Sequence, residues 1–268
     1  MLFRVVVLVV VLFWLGSIGW LCAVIWAPPE SRMAKVDPRE VFEVFFAWND
    51  STTMVLVENG QRRGQLTVSG GSGTTRESKD ISKLLSVTAS FEHYERELRA
   101  TVVDVFLKLA MDFSEALAFQ QMDLSARVPS RGMTAHLELG GKPLEYRIDA
   151  VMGEQQMLDV RGRVDTGLPP IPTDMLPMGS LFGDGAFDPR EIKWDVEARM
   201  GRFAFGGREQ RAYLLIFTLP DQGQSMRVYL SEVGEPLQIE TDVGFEAISE
   251  ILVPLDYYRA EGANTEDD

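Results

Sequence analysis

From residue 133 the chain repeats a period of two. Met133, Ala135, Leu137 and Leu139 alternate with Thr134, His136 and Glu138. Leu144, Tyr146, Ile148 and Ala150 alternate with Glu145, Arg147 and Asp149, and Leu158, Val160 and Val164 with Asp159, Arg161, Arg163 and Asp165. The pattern returns in Ile192, Trp194, Val196, Ala198 and Met200, then in Met226, Val228 and Leu230, and again in Leu237, Ile239, Thr241 and Val243. Successive side chains of an extended strand point to opposite faces, so each run predicts an antiparallel strand with one wet and one dry face. Gly140-Gly141, Gly206-Gly207, Asp221-Gln222-Gly223 and Gly234-Glu235-Pro236 punctuate the runs as turns. The glycine-rich stretch Gly70-Gly71-Ser72-Gly73 reads the same way, as a hairpin connection.

Helical patterning is scarce. Residues 39–48 carry a short amphipathic pattern, and Thr173-Asp174 would cap a second helix over 175–182 that Pro177 shortens. So few helices cannot cover the dry faces of about ten strands. The expected fold is therefore mainly β: a strongly curved antiparallel sheet, either an open barrel or a two-layer sandwich, with few short helices.

One long segment breaks the alternation. Residues 166–189 contain Pro169, Pro170, Pro172, Pro177 and Pro189 among Met175, Leu176, Met178, Leu181 and Phe182. So apolar a connection predicts burial, either as a plug on an open end of the core or as a movable lid over an apolar ligand. Met175, Leu176, Met178, Leu181 and Phe182, with Trp194 beside them, are the candidate ligand-binding residues.

The N-terminus has a different character. Residues 5–26 include no charged side chain, and at about 1.5 Å per residue they span roughly 33 Å, enough to cross a bilayer core. Trp26 falls at the lipid–water boundary and Pro28-Pro29 ends the helix. The exit Ile25-Trp26-Ala27 lacks a small-x-small cleavage site, and Gly19-Trp20-Leu21-Cys22 is too bulky for lipid attachment. The expectation is an uncleaved, single-pass signal anchor in the inner membrane, with the bulk of the chain on the periplasmic side. The domains are then an anchor at 1–29, a juxtamembrane segment at 30–50, a β-rich body at 51–255 and an acidic tail at 256–268.

Charge and composition narrow the function. The 268 residues carry a formal net charge of −14, which argues against a basic nucleic-acid surface. Anionic lipid would repel such a body, holding it off the bilayer. One cysteine and two histidines leave no disulfide framework, thiolate zinc site or multi-histidine centre, so no metal or cofactor is expected. His93 and His136 lack a neighbouring nucleophile motif, and residues 69–74 lack the Lys-Ser/Thr ending of a phosphate loop. Asp184, Asp188 and Glu191 do not have EF-hand spacing. No catalytic constellation emerges.

The order of short motifs resembles a known region. Leu168-Pro169-Pro170-Ile171, Leu176-Pro177-Met178-Gly179 and Phe187-Asp188-Pro189 precede a strand with Val196. Residues 207–213, the run 226–231, Gly234-Glu235-Pro236-Leu237-Gln238-Ile239-Glu240 and Gly244-Phe245 follow. This resembles the uncharacterised β-rich region that precedes transglutaminase-like domains in membrane-anchored bacterial proteins, over about residues 50–252. That resemblance implies a catalytic Cys-His-Asp set only in a further domain, and none follows residue 255 within these residues. In architecture, a tethered sheet with one dry face is similar to the open-barrel carriers of periplasmic lipoprotein sorting. The resulting expectation is a non-catalytic binding or accessory protein of the cell envelope, its partner a lipid-like ligand or an envelope protein. A scaffold without ligand and a carboxylate-based hydrolase are the alternatives.

Overall fold

The computed structural model describes residues 33–58, 60–74, 81–95, 100–163, 195–205, 207–219, 223–242 and 244–253. In chain order they form β1 (Ala34–Val36), α1 (Pro38–Trp48), β2 (Asp50–Glu58), β3 (Gln61–Thr74), β4 (Ile81–Glu95), β5 (Ala100–Ser114) and β6 (Phe119–Val128). Then follow β7 (Met133–Gly140), β8 (Glu145–Met152), β9 (Gln155–Arg163), β10 (Asp195–Phe205), β11 (Arg208–Leu219), β12 (Gln224–Ser231), β13 (Pro236–Thr241) and β14 (Phe245–Ser249).

All fourteen strands lie in one antiparallel sheet, ordered β1-β10-β11-β12-β13-β14-β2-β3-β4-β5-β6-β7-β8-β9. Two meanders, β2–β9 and β10–β14, join where β14 pairs with β2 through Ala247 and Leu56. The mainly-β reading holds, with few helices and a single antiparallel sheet among the described residues. The hydrogen-bonded ladder is unbroken from β1 to β9, and the sheet ends on those two edges without closing.

The curl follows from α1. Asp37 caps the helix, its carboxylate accepting from the Arg39 amide at 2.9 Å, and Pro38 occupies the first turn. Val41, Phe42, Phe45 and Phe46 fall on one face at helical spacing, and Val41, Phe45 and Phe46 are buried. This face touches β3 and β4 on one side and β10 and β11 on the other. Four strands, β12, β13, β14 and β2, separate those two contact regions in the ladder. A sheet that meets one helix from both directions must wrap around it. Phe46 reaches Phe113 of β5 (5.9 Å between ring centroids) and Phe42 reaches Phe217 of β11 (6.3 Å).

Two glycines permit this approach. Gly70 sits in β3 opposite Leu85, and a Cβ there would lie 2.5 Å from the Phe45 ring. Residues 69–74 are therefore strand, paired from Ser69–Ser86 to Thr74–Ile81, and not the hairpin connection their glycine content suggests. Gly234, with φ +96°, lies where a Cβ would be 2.4 Å from the Val44 carbonyl oxygen. It brings the β12–β13 turn against the helix.

The packing is held by faces rather than by ion pairs. Each fully buried side chain such as Met54 or Leu214 contributes roughly 1.5–3 kcal/mol, whereas an exposed pair such as Lys35–Glu197 adds about 0–1 kcal/mol. The inner cluster gathers Met54, Leu56, Leu66, Val68, Ala198, Leu215 and Leu230 around α1. The outer face of β10–β13 carries its own cluster of Phe205, Ala212, Leu214, Tyr229 and Leu237, with Leu252 packed on it. On β2, Val55 and Val57 meet Val253.

Among the described residues no helix is long and apolar enough to cross a membrane. The expected anchor at 1–29 lies outside the described residues, as does the acidic tail.

Candidate ligand-binding face

The register places inward-facing residues in continuous rows that run across the strands. One row is Val68–Val87–Leu109–Leu124–Leu137–Ile148–Val160, from β3 to β9. The next is Leu66–Ala89–Leu107–Ala126–Ala135–Ala150–Leu158. A third runs Gly70–Leu85–Met111–Met122–Leu139–Tyr146–Gly162. Every member that bears a side chain is apolar or tyrosine. Burial differs along the rows: Leu66 and Val68 are buried beside α1, whereas Leu109, Met111, Met122, Leu124, Leu137 and Leu139 are only half-buried.

Relief follows from side-chain size. Ala126, Ala135 and Ala150 occupy successive strands of the second row, flanked by the larger Leu124, Leu137 and Ile148 of the first. A furrow floored by alanine thus runs perpendicular to the strands. From β6 to β8 it crosses two interstrand spacings of about 4.8 Å, roughly 10 Å, and Leu107 of β5 and Leu158 of β9 close its ends.

A charge enters the inner face at β4. Lys83 follows the parity of Leu85 and Val87 on β4; it is 6% exposed and is bound by Glu43 of α1. Its ammonium lies 5.9 Å from the centre of the Phe46 ring. The pair latches the helix to the strand that borders the half-buried rows.

The outer face of β6–β9 is polar. A cavity of about 510 Å³ opens there, lined by Gln121, Glu138, Glu145, Arg147, Arg161 and Arg163. His136 also points outward, its Nδ1 3.7 Å from an Asp123 carboxylate oxygen. Burial beside the same surface pushes the Asp112 carboxyl above its ordinary range. Asp112 is paired with Gln121 at the rim of the cavity but is not among its lining residues. Glu197 is held below its ordinary range, first by the hydrogen bond from Lys35 and next by that from Arg199. Among the described residues no group of three histidine, cysteine or acidic side chains is placed to hold a metal ion.

The residues that the sequence marks as ligand-binding, Met175, Leu176, Met178, Leu181, Phe182 and Trp194, lie outside the described residues, as do Asp184, Asp188 and Glu191. The inner rows of β7–β9 match the alternation read from the sequence. Those of β3–β6 were missed, although Leu85, Val87, Ala89 and Phe91, then Leu107, Leu109, Met111 and Phe113, carry the same period of two. Comparison with protein-family models, with curated proteins and with solved structures finds no match.

Proposed function

We propose that the chain is a membrane-anchored, extracytoplasmic binding protein of a bacterial cell envelope, holding an apolar, lipid-like ligand along the inner face of β5–β9. One observation carries this reading: beyond the cover of α1, Leu109, Met111, Met122, Leu124, Leu137 and Leu139 of the apolar rows are only half-buried across β5, β6 and β7. Monomeric soluble proteins rarely leave a contiguous apolar surface of that extent unless something binds it. Apolar contact of this kind selects for length and shape, and it needs no catalytic group. The resemblance to the β-rich region preceding transglutaminase-like domains belongs to the same proposal, as does the periplasmic placement.

The test is photocrosslinking in membranes containing the full chain, using a photoactivatable palmitate analogue and mapping adducts by mass spectrometry. Adducts are expected on peptides from β5–β7. Ala135→Phe, which fills the furrow, and Leu137→Glu, which places a charge in it, should each lower labelling there by about tenfold, the equivalent of losing about 1.4 kcal/mol of binding. Labelling confined to residues 1–29, or equal in both variants, overturns the ligand reading and leaves a partner protein as the occupant.

A further inference from the structure

We infer that β9 is the seam of a twofold-symmetric dimer, in which a second copy of this chain pairs antiparallel with it about Val160. This inference stands on the edge strand alone and survives failure of the ligand reading. The two edges of the sheet differ. β1 has three residues, whereas β9 has nine and is hydrogen-bonded on one side only among the described residues. A long edge with no proline and no inward-pointing charge is a template for another strand.

The charges of the outer face say which strand fits. Between β7 and β8 they are complementary, with Glu138 opposite Arg147 and His136 opposite Asp149. Between β8 and β9, Glu145 is opposite Arg163, but at the two outward positions that follow like faces like: Arg147 is opposite Arg161, and Asp149 is opposite Asp159. Like charges directly across a ladder oppose pairing. The ion pairs run along the strands instead, Arg147–Asp149 at 3.7 Å and Arg161–Asp159 at 3.5 Å. A further strand beyond β9 would restore complementarity if it offered the reverse order, acid against Arg161 and base against Asp159.

β9 itself is that strand when turned antiparallel about Val160. Asp159 then faces Arg161 of the second copy, and Arg161 faces its Asp159. On the apolar side Val160 meets Val160 and Leu158 meets Gly162. Centring the axis on Asp159 or on Arg161 sets a charge against itself, and centring it between two residues mixes the wet and dry faces. With the twofold axis perpendicular to the sheet, the dry faces of both copies lie on the same side, so the apolar rows continue across the seam.

The full chain in detergent is examined by sedimentation equilibrium over a concentration series. Self-association is expected. Asp159→Arg and Arg161→Asp should each raise the dimer dissociation constant about tenfold or more, since every substitution counts twice across the axis. The double variant D159R/R161D should restore it. Asp159→Arg gains a partner in Asp149 within its own chain, so loss of the dimer would not reflect loss of fold. In a Cys22→Ser background, Val160→Cys should form an intermolecular disulfide and Leu158→Cys should not. A monomer at every concentration, a dimer indifferent to Asp159→Arg, or a dimer in which Val160→Cys stays reduced each overturns the inference.

Discussion

The latch between Lys83 and Glu43 makes a quantitative prediction because its two halves are unequally exposed. Lys83 is 7% exposed at the side chain and Glu43 46%. Removing one partner of a fully buried pair costs about 3–5 kcal/mol, because the other is left charged and dry. Here water reaches the carboxylate and can partly follow it to the ammonium, so Glu43→Gln should cost about 2–3 kcal/mol. The Phe46 ring, 5.9 Å away, recovers at most about 1 kcal/mol and is present in both proteins. Lys83→Met behaves differently. It removes the buried charge, keeps an unbranched chain among Phe46 and Phe113, and leaves Glu43 to the solvent it already touches. Its cost should be under about 1 kcal/mol, and a gain is allowed.

Urea unfolding reads both numbers, with unchanged slope confirming that only the native state has been altered. For a body of this size Glu43→Gln should lower Tm by roughly 4–12 °C, at about 2–4 °C per kcal/mol. Adding Lys83→Met to Glu43→Gln should recover most of that loss, giving a coupling of about 2 kcal/mol between adjacent sites. If Lys83→Met costs as much as Glu43→Gln, the lysine contributes through packing or an attraction stronger than its desolvation, and the reasoning fails.

Gly70→Ala should destabilise by about 1–3 kcal/mol through overpacking against Phe45, despite the strand preference for alanine. In Phe45→Ala the same substitution should be close to neutral, and equal costs in both backgrounds would refute the contact. Two carboxylates should give opposite pH signatures in chemical denaturation. Glu197, held low by Lys35 and Arg199, adds stability that is present above its unfolded value and lost as pH falls through the lowered folded value, so Glu197→Gln should weaken the protein at neutral pH and not in strong acid. Asp112, raised by burial, binds its proton more tightly when folded; the stability it adds is present below its unfolded value and lost as pH rises through the raised one. Asp112→Asn should therefore stabilise at neutral pH, and a loss there would refute the burial argument.

What the sequence discloses depends on how many faces of a strand are covered. β7, β8, β9, β12 and β13 have one wet and one dry face, and their alternation is plain in the residues. β11 is different. Ala212, Leu214 and Leu215 are all buried, because the outer cluster takes Leu214 while the inner cluster takes Leu215. The run from Ala212 to Phe217 therefore has no polar beat. β2 reads the same way, Met54 to Val57 being buried on alternating sides. β3 and β4 were obscured for another reason. Their outward positions are mostly serine, threonine and glycine, with an apolar Leu84 among them, too weakly polar to mark a period, and the glycines of β3 imitate a turn. Gly70 and Gly71 are explained only by what lies across from them, the Phe45 ring and the Asn49 side chain, and no local pattern encodes that. The helix over 39–48 was legible because its whole signal is local: a cap, a proline at the start and an apolar stripe.

The number of strands also decides where apolar surface is left over. Thirteen spacings of about 4.8 Å give the sheet an arc of roughly 62 Å, while an eleven-residue helix is about 16 Å long and about 10 Å across. One such helix cannot shelter the whole concave side. It lies against β3, β4, β10 and β11, and its cover thins beyond Phe113 of β5. β2 and β11 bury apolar residues on both faces and have the character of a scaffold. The half from β5 to β9 is apolar on one face and patterned with charge on the other. Leu109 and Leu124 belong neither to the cluster around α1 nor to the one that Tyr146 and Ile148 form with Leu137. The proposed ligand would account for their apolar character, and the proposed second copy for the charge order of β9.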